Sequence, residues 1–172
     1  MQVYDNLLGP EIAQEAYEFV LNSYYQIGWE DSLAPEQRIY PNLHSRYSGE
    51  DIKKLKILEP IHKKLKNKNL KCDKCVVNLT KPLDVNFIHT HPNQVVALYY
   101  ANLTWKPEDG GETLLYKNNK RDILLASPYV PNRLIIFDGS IPHTITSQSI
   151  LGPTYRFTIS LFFTKGKKNE NI

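Results

Sequence analysis

After Leu70 the sequence is cut by turn signals into short β-rich runs, a texture incompatible with a helix bundle. The runs are Cys75 to Leu79, Phe87 to His91, Val95 to Asn102, Thr113 to Tyr116, Ile123 to Leu125, Leu134 to Phe137, His143 to Thr146 and Tyr155 to Phe163. Between them stand Lys81-Pro82, Pro92-Asn93, Asp109-Gly110-Gly111, Pro131-Asn132 and Gly152-Pro153, which are turn formers for distinct backbone reasons. The first third reads differently. Ile12, Ala13, Ala16, Tyr17, Val20 and Tyr24 recur at helix spacing after Pro10, a residue suited to a first turn. A second helix is predicted from Ser48 or Gly49 to about Lys66, burying Ile52, Leu55, Leu58, Ile61 and Leu65, with Pro60 expected to kink or divide it. Trp29 to Asn42, with two prolines, reads as loop. Two helices followed by about eight short strands predict a mainly β fold, a double-sheet jelly roll with helices on one side. Such a barrel has a mouth in which strands can present side chains to a metal or ligand.

Composition narrows the class. At 172 residues, with 41% hydrophobic and 23% charged, the chain is the size and texture of one soluble globular domain. No apolar run reaches the roughly 18 residues of a membrane span, and Met1 to Pro10 lacks the basic and apolar parts of a signal peptide; a cytoplasmic location is the expectation. The net charge of +3 is mild and argues against a nucleic-acid partner. Its basic runs, Lys53 to Lys71 and Lys165 to Lys168, read as solvated faces. Cys72 and Cys75 form one isolated pair with no second pair to complete a zinc site, so two reduced thiols are expected.

Five histidines are present. His44, in a predicted loop, and His62, in a lysine-rich helix, read as surface residues. His89 and His91 stand two apart in a strand, so alternation sends both to one face. His143 follows the apolar strand Leu134 to Phe137. Two ligands from one strand and a third from a distant strand can make a facial metal site with open positions, and neutral imidazole is a common ligand. Exposed strand histidines, or a hydrogen-bonded pair, is the competing reading. Arg156 sits in the core strand Tyr155 to Phe163, where a guanidinium needs an anionic partner to offset its desolvation and matches a carboxylate in bidentate geometry. Phe157, Ile159, Leu161 and Phe163 share one parity, and Arg156, Thr158, Ser160 and Phe162 the other. Parity lets Arg156 and Thr158 act together without saying which face lines the cavity.

These residues fall in a known order. His89-Thr90-His91, Tyr99-Tyr100-Ala101-Asn102, Trp105, Gly110-Gly111-Glu112-Thr113, His143 and Arg156-Phe157-Thr158 resemble the double-stranded β-helix core of the 2-oxoglutarate/Fe(II)-dependent oxygenase superfamily, in particular its prolyl 4-hydroxylase-like branch. That family carries His-x-Asp, Tyr-Tyr-x-Asn, a tryptophan, Gly-Gly-Glu-Thr, a distal histidine and Arg-x-Ser/Thr. The match covers about half the chain in unbroken order, and the ordered set is far more specific than any one motif. It implies a single oxygenase domain over 1–172, with helical support in 1–69, a jelly-roll core in 70–165 and a basic tail in 166–172.

By this resemblance His89 and His143 would ligate Fe(II), and Arg156 would hold the distal carboxylate of 2-oxoglutarate with Tyr100 and Thr158 beside it. The implied activity is that of a dioxygenase hydroxylating a protein or peptide side chain, prolyl first. A small molecule or nucleobase as substrate and a non-catalytic metal-binding module are the alternatives. The nucleobase enzymes of the AlkB type carry a further arginine six residues on, where this chain has Phe162. The departure from the family is His91, where aspartate is expected. Three readings are open: His91 is itself the third ligand, a carboxylate arrives from elsewhere with Asp84 or Asp138 nearest in sequence, or the position is vacant. Asn93, after Pro92, is a weaker third ligand. The loops Asp31 to Tyr47, Lys106 to Asp109 and Asn118 to Pro131 would set specificity.

Overall fold

A computed structural model describes residues 1–28, 42–67 and 69–165. In chain order it contains β1 (Gln2–Tyr4), α1 (Pro10–Leu21), β2 (Gln26–Ile27), β3 (Leu43–Tyr47), α2 (Glu50–Lys53), α3 (Leu58–Lys64), β4 (Leu70–Thr80), β5 (Val95–Tyr100), β6 (Thr113–Tyr116), β7 (Ile123–Ser127), β8 (Leu134–Asp138), β9 (His143–Ile145) and β10 (Arg156–Lys165). The larger sheet runs β1-β8-β5-β10-β4-β3-β2 and the smaller β7-β6-β9. Every pairing is antiparallel. The two sheets make the expected jelly roll, and no described helix is long and apolar enough to cross a membrane.

Strand β10 organises this arrangement because its two parities serve two cores. Phe157, Ile159, Leu161 and Phe163 join one cluster with Ala13, Ala16 and Val20 of α1 and Ile52 and Ile61 from α2 and α3. Phe162 joins a second cluster between the sheets, with Val76, Val96, Leu98, Tyr100, Leu115 and Phe137. The helices therefore cover the outer face of the larger sheet, and the face carrying Arg156, Thr158 and Ser160 looks into the barrel. A bulge between Phe162 and Phe163 leaves Asp73 as the extra residue on β4, which keeps the alternation of β10 intact.

The first third departs from the expected helices. Strands β1, β2 and β3 dock on the sheet edges, with Val3 opposite Ile135 and Ser45 opposite Val77. They are short, and Leu-His-Ser-Arg-Tyr has no period-2 pattern, so tertiary pairing makes them strands. The second predicted helix is two, α2 and α3, and the break falls at 54–57 instead of at Pro60. Pro60 occupies the first turn of α3, where its missing N–H costs no hydrogen bond. Phe87 to His91, expected as a strand, makes only an isolated bridge, His89 to His143. The loop expected over 29–42 and the basic tail lie almost wholly outside the described residues.

Both cysteines are free. Burial pushes the Cys72 thiol up to about 12 and raises that of Cys75 as well, so neither is a ready thiolate. His62 is not the surface residue expected: it is half-buried, its Nε2 is 3.2 Å from the Leu70 carbonyl, and its ring lies 6.3 Å from that of Phe163.

Ile159 is fully buried at the junction of helices and sheet. Ile159→Ala should lower the unfolding free energy by about 3 kcal/mol, read from a shifted denaturant midpoint with an unchanged slope.

Candidate metal centre and the buried arginine

His89 and His143 exchange both backbone hydrogen bonds, each N–H lying 3.0 Å from the other's carbonyl. This places their rings side by side, with centroids 4.4 Å apart. His91 follows on the same side, its ring 5.0 Å from that of His89 and 5.2 Å from that of His143. One nitrogen from each of the three lies within 4.8 Å of the others. Opposed ligands at about 2.1 Å stand at most about 4.2 Å apart, so small ring rotations would bring the set onto one ion.

The tautomers follow from the partners. His89 Nδ1 is 2.9 Å from the Phe87 carbonyl and His143 Nδ1 is 2.7 Å from that of Ile141. A carbonyl only accepts, so each neutral ring carries its proton on Nδ1 and its lone pair on Nε2, the arrangement of a ligating histidine oriented by backbone. His91 is held through its main chain: its N–H donates to the Gly139 carbonyl at 2.6 Å. The approach is so close that a Cβ on residue 139 would collide with the His91 carbonyl oxygen. Its ring packs edge-on against Phe162 at 4.7 Å.

The other two proposed sources of the third ligand are elsewhere. Asp84 accepts from the Lys81 N–H at 2.8 Å. Asp138 is exposed and accepts from the Ser140 N–H and hydroxyl, which hold its carboxyl below the usual range. Asn93 is exposed in a turn. Among the described residues lining the barrel cavity there is no carboxylate.

Arg156 is the largest side chain that is fully buried, at 1% exposure, and the surrounding motifs hold it. The carboxamide of Asn102 brackets it: Nδ2 donates to the Tyr155 carbonyl at 2.9 Å and Oδ1 accepts from the Phe157 N–H at 2.8 Å. Tyr129 stacks its ring 4.7 Å from the guanidinium, and its hydroxyl accepts from the Asn102 N–H at 3.0 Å. Gly111 accepts from Arg156 Nε at 3.0 Å. It has φ +77°, and a Cβ there would stand 3.0 Å from the Arg156 side chain, so the Gly-Gly pair leaves the volume that the arginine fills. Trp105 Nε1 donates to the Gly110 carbonyl at 3.0 Å. Burial lowers the pKa of Arg156, opposed by Tyr129, Tyr100 and Glu112. Nη2 is nonetheless buried with no hydrogen-bond partner.

Thr158 lines the same cavity of about 100 Å³ as Arg156 and the three histidines. Tyr100 is fully buried beside it, its ring 5.6 Å from the guanidinium and its hydroxyl donating to Thr113 at 2.8 Å. His44, expected on the surface, is half-buried on β3 and lines the cavity, with Nδ1 3.1 Å from the Gly28 carbonyl. Tyr129 was hidden inside a stretch read as a specificity loop. Only the prolines on either side of it, Pro128 and Pro131, set it apart in sequence, and they mark a turn.

No protein-family model matches the chain, and no curated protein is significantly similar to it in sequence. Its fold is shared with solved oxygenases. A prolyl hydroxylase from Trichoplax adhaerens, in complex with a hypoxia-inducible-factor peptide fragment, superposes with a TM-score of 0.67 at 22% identity, over 95% of this chain and 83% of that one. A Pseudomonas putida prolyl-4-hydroxylase gives 0.62 at 14%, over 96% and 92%. HygX from Streptomyces hygroscopicus, with nickel and 2-oxoglutarate bound, gives 0.63 at 11%, over 96% and 82%. The chain thus has the fold of the 2-oxoglutarate/Fe(II) oxygenases, as the ordered motifs led one to expect.

Gly111→Ala should combine a left-handed backbone penalty of about 1–2 kcal/mol with displacement of Arg156. A thermal melt should show the loss of stability, and a crystal structure should show Arg156 Nε parted from the residue-111 carbonyl.

Proposed function

We propose that this chain is an Fe(II)- and 2-oxoglutarate-dependent dioxygenase that hydroxylates a protein or peptide side chain, with prolyl as the first candidate. One observation carries the reading: a single jelly-roll cavity holds three converging imidazoles and, in its wall, a buried guanidinium whose Nη2 has no partner. A buried arginine of that kind calls for an anion. A diacid that meets a metal with one end and Arg156 with the other fits both features.

In this reading His89, His91 and His143 hold the iron, and Arg156 takes the distal carboxylate, with Thr158 beside it and the Tyr100 phenol next to the guanidinium. When bound, the iron and 2-oxoglutarate supply oxygen activation, with succinate and CO2 formed as the substrate gains a hydroxyl. The chain contributes orientation and exclusion of water. Phe162 and Phe137 pack against His91 and His143, which keeps the metal side of the cavity apolar. The prolyl preference draws on the two prolyl hydroxylases of the same fold, one of them bound to a peptide.

The lack of a carboxylate among the described lining residues favours one second reading, a metal-binding module without turnover. Succinate formation by the iron-loaded chain, scored with prolyl peptides, separates the two. Metal and 2-oxoglutarate binding without succinate would support the module.

Two expected outcomes test the ligands. His91→Ala should lose divalent metal in a calorimetric titration, while His91→Asp should retain it; full metal binding by His91→Ala would remove His91 from the set. Arg156→Ala should weaken 2-oxoglutarate binding by about 2–5 kcal/mol, the usual cost of deleting one partner of a buried charged pair, with metal affinity unchanged. Equal 2-oxoglutarate affinity in the variant would place the diacid elsewhere.

A further inference from the structure

Among the described residues, four buried side-chain atoms have no hydrogen-bond partner: Asn42 Oδ1, Asn86 Oδ1, Thr144 Oγ1 and Arg156 Nη2. All four belong to residues lining the one cavity. Arg156 is accounted for by the anion it would bind. The two asparagines are not, and they form a unit. Asn42, 6% exposed, donates through Nδ2 to the Val85 carbonyl at 3.2 Å. Asn86, the next residue along, donates through Nδ2 to the Asp84 carbonyl at 3.2 Å. These partners only accept, so neither amide can be turned over without setting oxygen against oxygen. The orientation is fixed, and two buried carbonyl oxygens, on residues that line one cavity, are left without a donor.

We infer that Asn42 and Asn86 form a substrate subsite for neutral hydrogen-bond donors, met in a peptide by main-chain N–H groups flanking the residue at the metal. The donor is neutral because no carboxylate is among the described lining residues, whereas Arg156 already brings one positive charge to the cavity. An ammonium would be desolvated there without a counter-ion. An amide N–H asks only for an acceptor, and leaving that acceptor unmet costs more than the pairing itself gains. Proline has no N–H, so the donors must come from its neighbours. A prolyl residue between non-prolyl neighbours would satisfy the subsite, and a run of prolines would not. The peptide assignment rests on the hydroxylase reading; the demand for neutral donors does not.

The test uses the full chain, labelled with nitrogen-15 and held with Zn(II) and 2-oxoglutarate, and two probes that differ by one donor. N-methylacetamide carries an N–H and N,N-dimethylacetamide carries none. Titrated by NMR, the first should bind about five-fold more tightly, the size of one modest hydrogen bond, and should shift the side-chain amide signals of Asn42 and Asn86. The double variant Asn42→Leu with Asn86→Leu should lose the preference. Equal binding of the two probes by the unaltered chain overturns the subsite and needs no variant to do so. A preserved preference without any 2-oxoglutarate turnover in a parallel assay would sink the hydroxylase reading and leave the subsite standing.

Discussion

A guanidinium sealed inside a barrel is the constraint on which the rest of this molecule turns. A charge with 1% exposure cannot be left to find partners by chance, since each unmet donor costs on the order of 1–3 kcal/mol. The chain answers with groups from four separate segments. Asn102 clamps the peptide units on either side of Arg156, Tyr129 stacks on its face, Gly111 accepts from Nε, and Trp105 secures the neighbouring Gly110 carbonyl. The Tyr-Tyr-x-Asn and Gly-Gly motifs are therefore parts of one arginine mount. They hold the backbone, Nε and face of the arginine and leave Nη2 without a partner.

That mount explains what the sequence made legible. The short-run texture after Leu70 gave the strands, because the turn formers between them act locally. The parity of 156–163 gave the grouping of Arg156 with Thr158, because alternation in a long core strand survives tertiary packing. Which parity faced inward was not readable: both are buried, and only the docking of α1 to α3 on Phe157, Ile159 and Leu161 decides it. His89 and His91 converge although their segment is not a regular strand. A single bridge to His143 and the close approach to Gly139 replace a ladder. His44 was misread for the opposite reason, because it belongs to a short strand held in the sheet by its neighbours β4 and β2.

The third histidine alters the electrostatics of the cavity. With an aspartate at position 91, a divalent ion, the arginine and a dianionic diacid would sum to no net charge. Neutral imidazole leaves the same assembly one unit positive in a space with no carboxylate among its described lining. Coulomb interactions are strong there, because bulk water is largely excluded. A cavity of that kind binds a dianion well and disfavours cationic substrates. His91 itself has little freedom: its main chain is locked by Gly139, and its ring is packed against Phe162.

The two ends of the cavity then divide the work of recognition. On the histidine side, Phe137 and Phe162 pack against His143 and His91 with apolar surface. At β3 and the segment before His89, polar groups of both kinds appear, with Asn42, His44 and Asn86 added to the Asn78 and Ser160 pair on the sheet floor. The residue before β3 and the irregular segment before His89, which carry Asn42 and Asn86, are joined by the Asn42 to Val85 hydrogen bond, so the acceptor atoms are preorganised before any ligand arrives. Preorganisation matters because an acceptor already held in place costs no side-chain entropy on binding. A ligand lacking the complementary donors would leave those oxygens unmet. Discrimination by unmet polar groups is sharper than discrimination by apolar fit, and the inferred subsite lies outside the ordered motifs, on residues that no motif singled out.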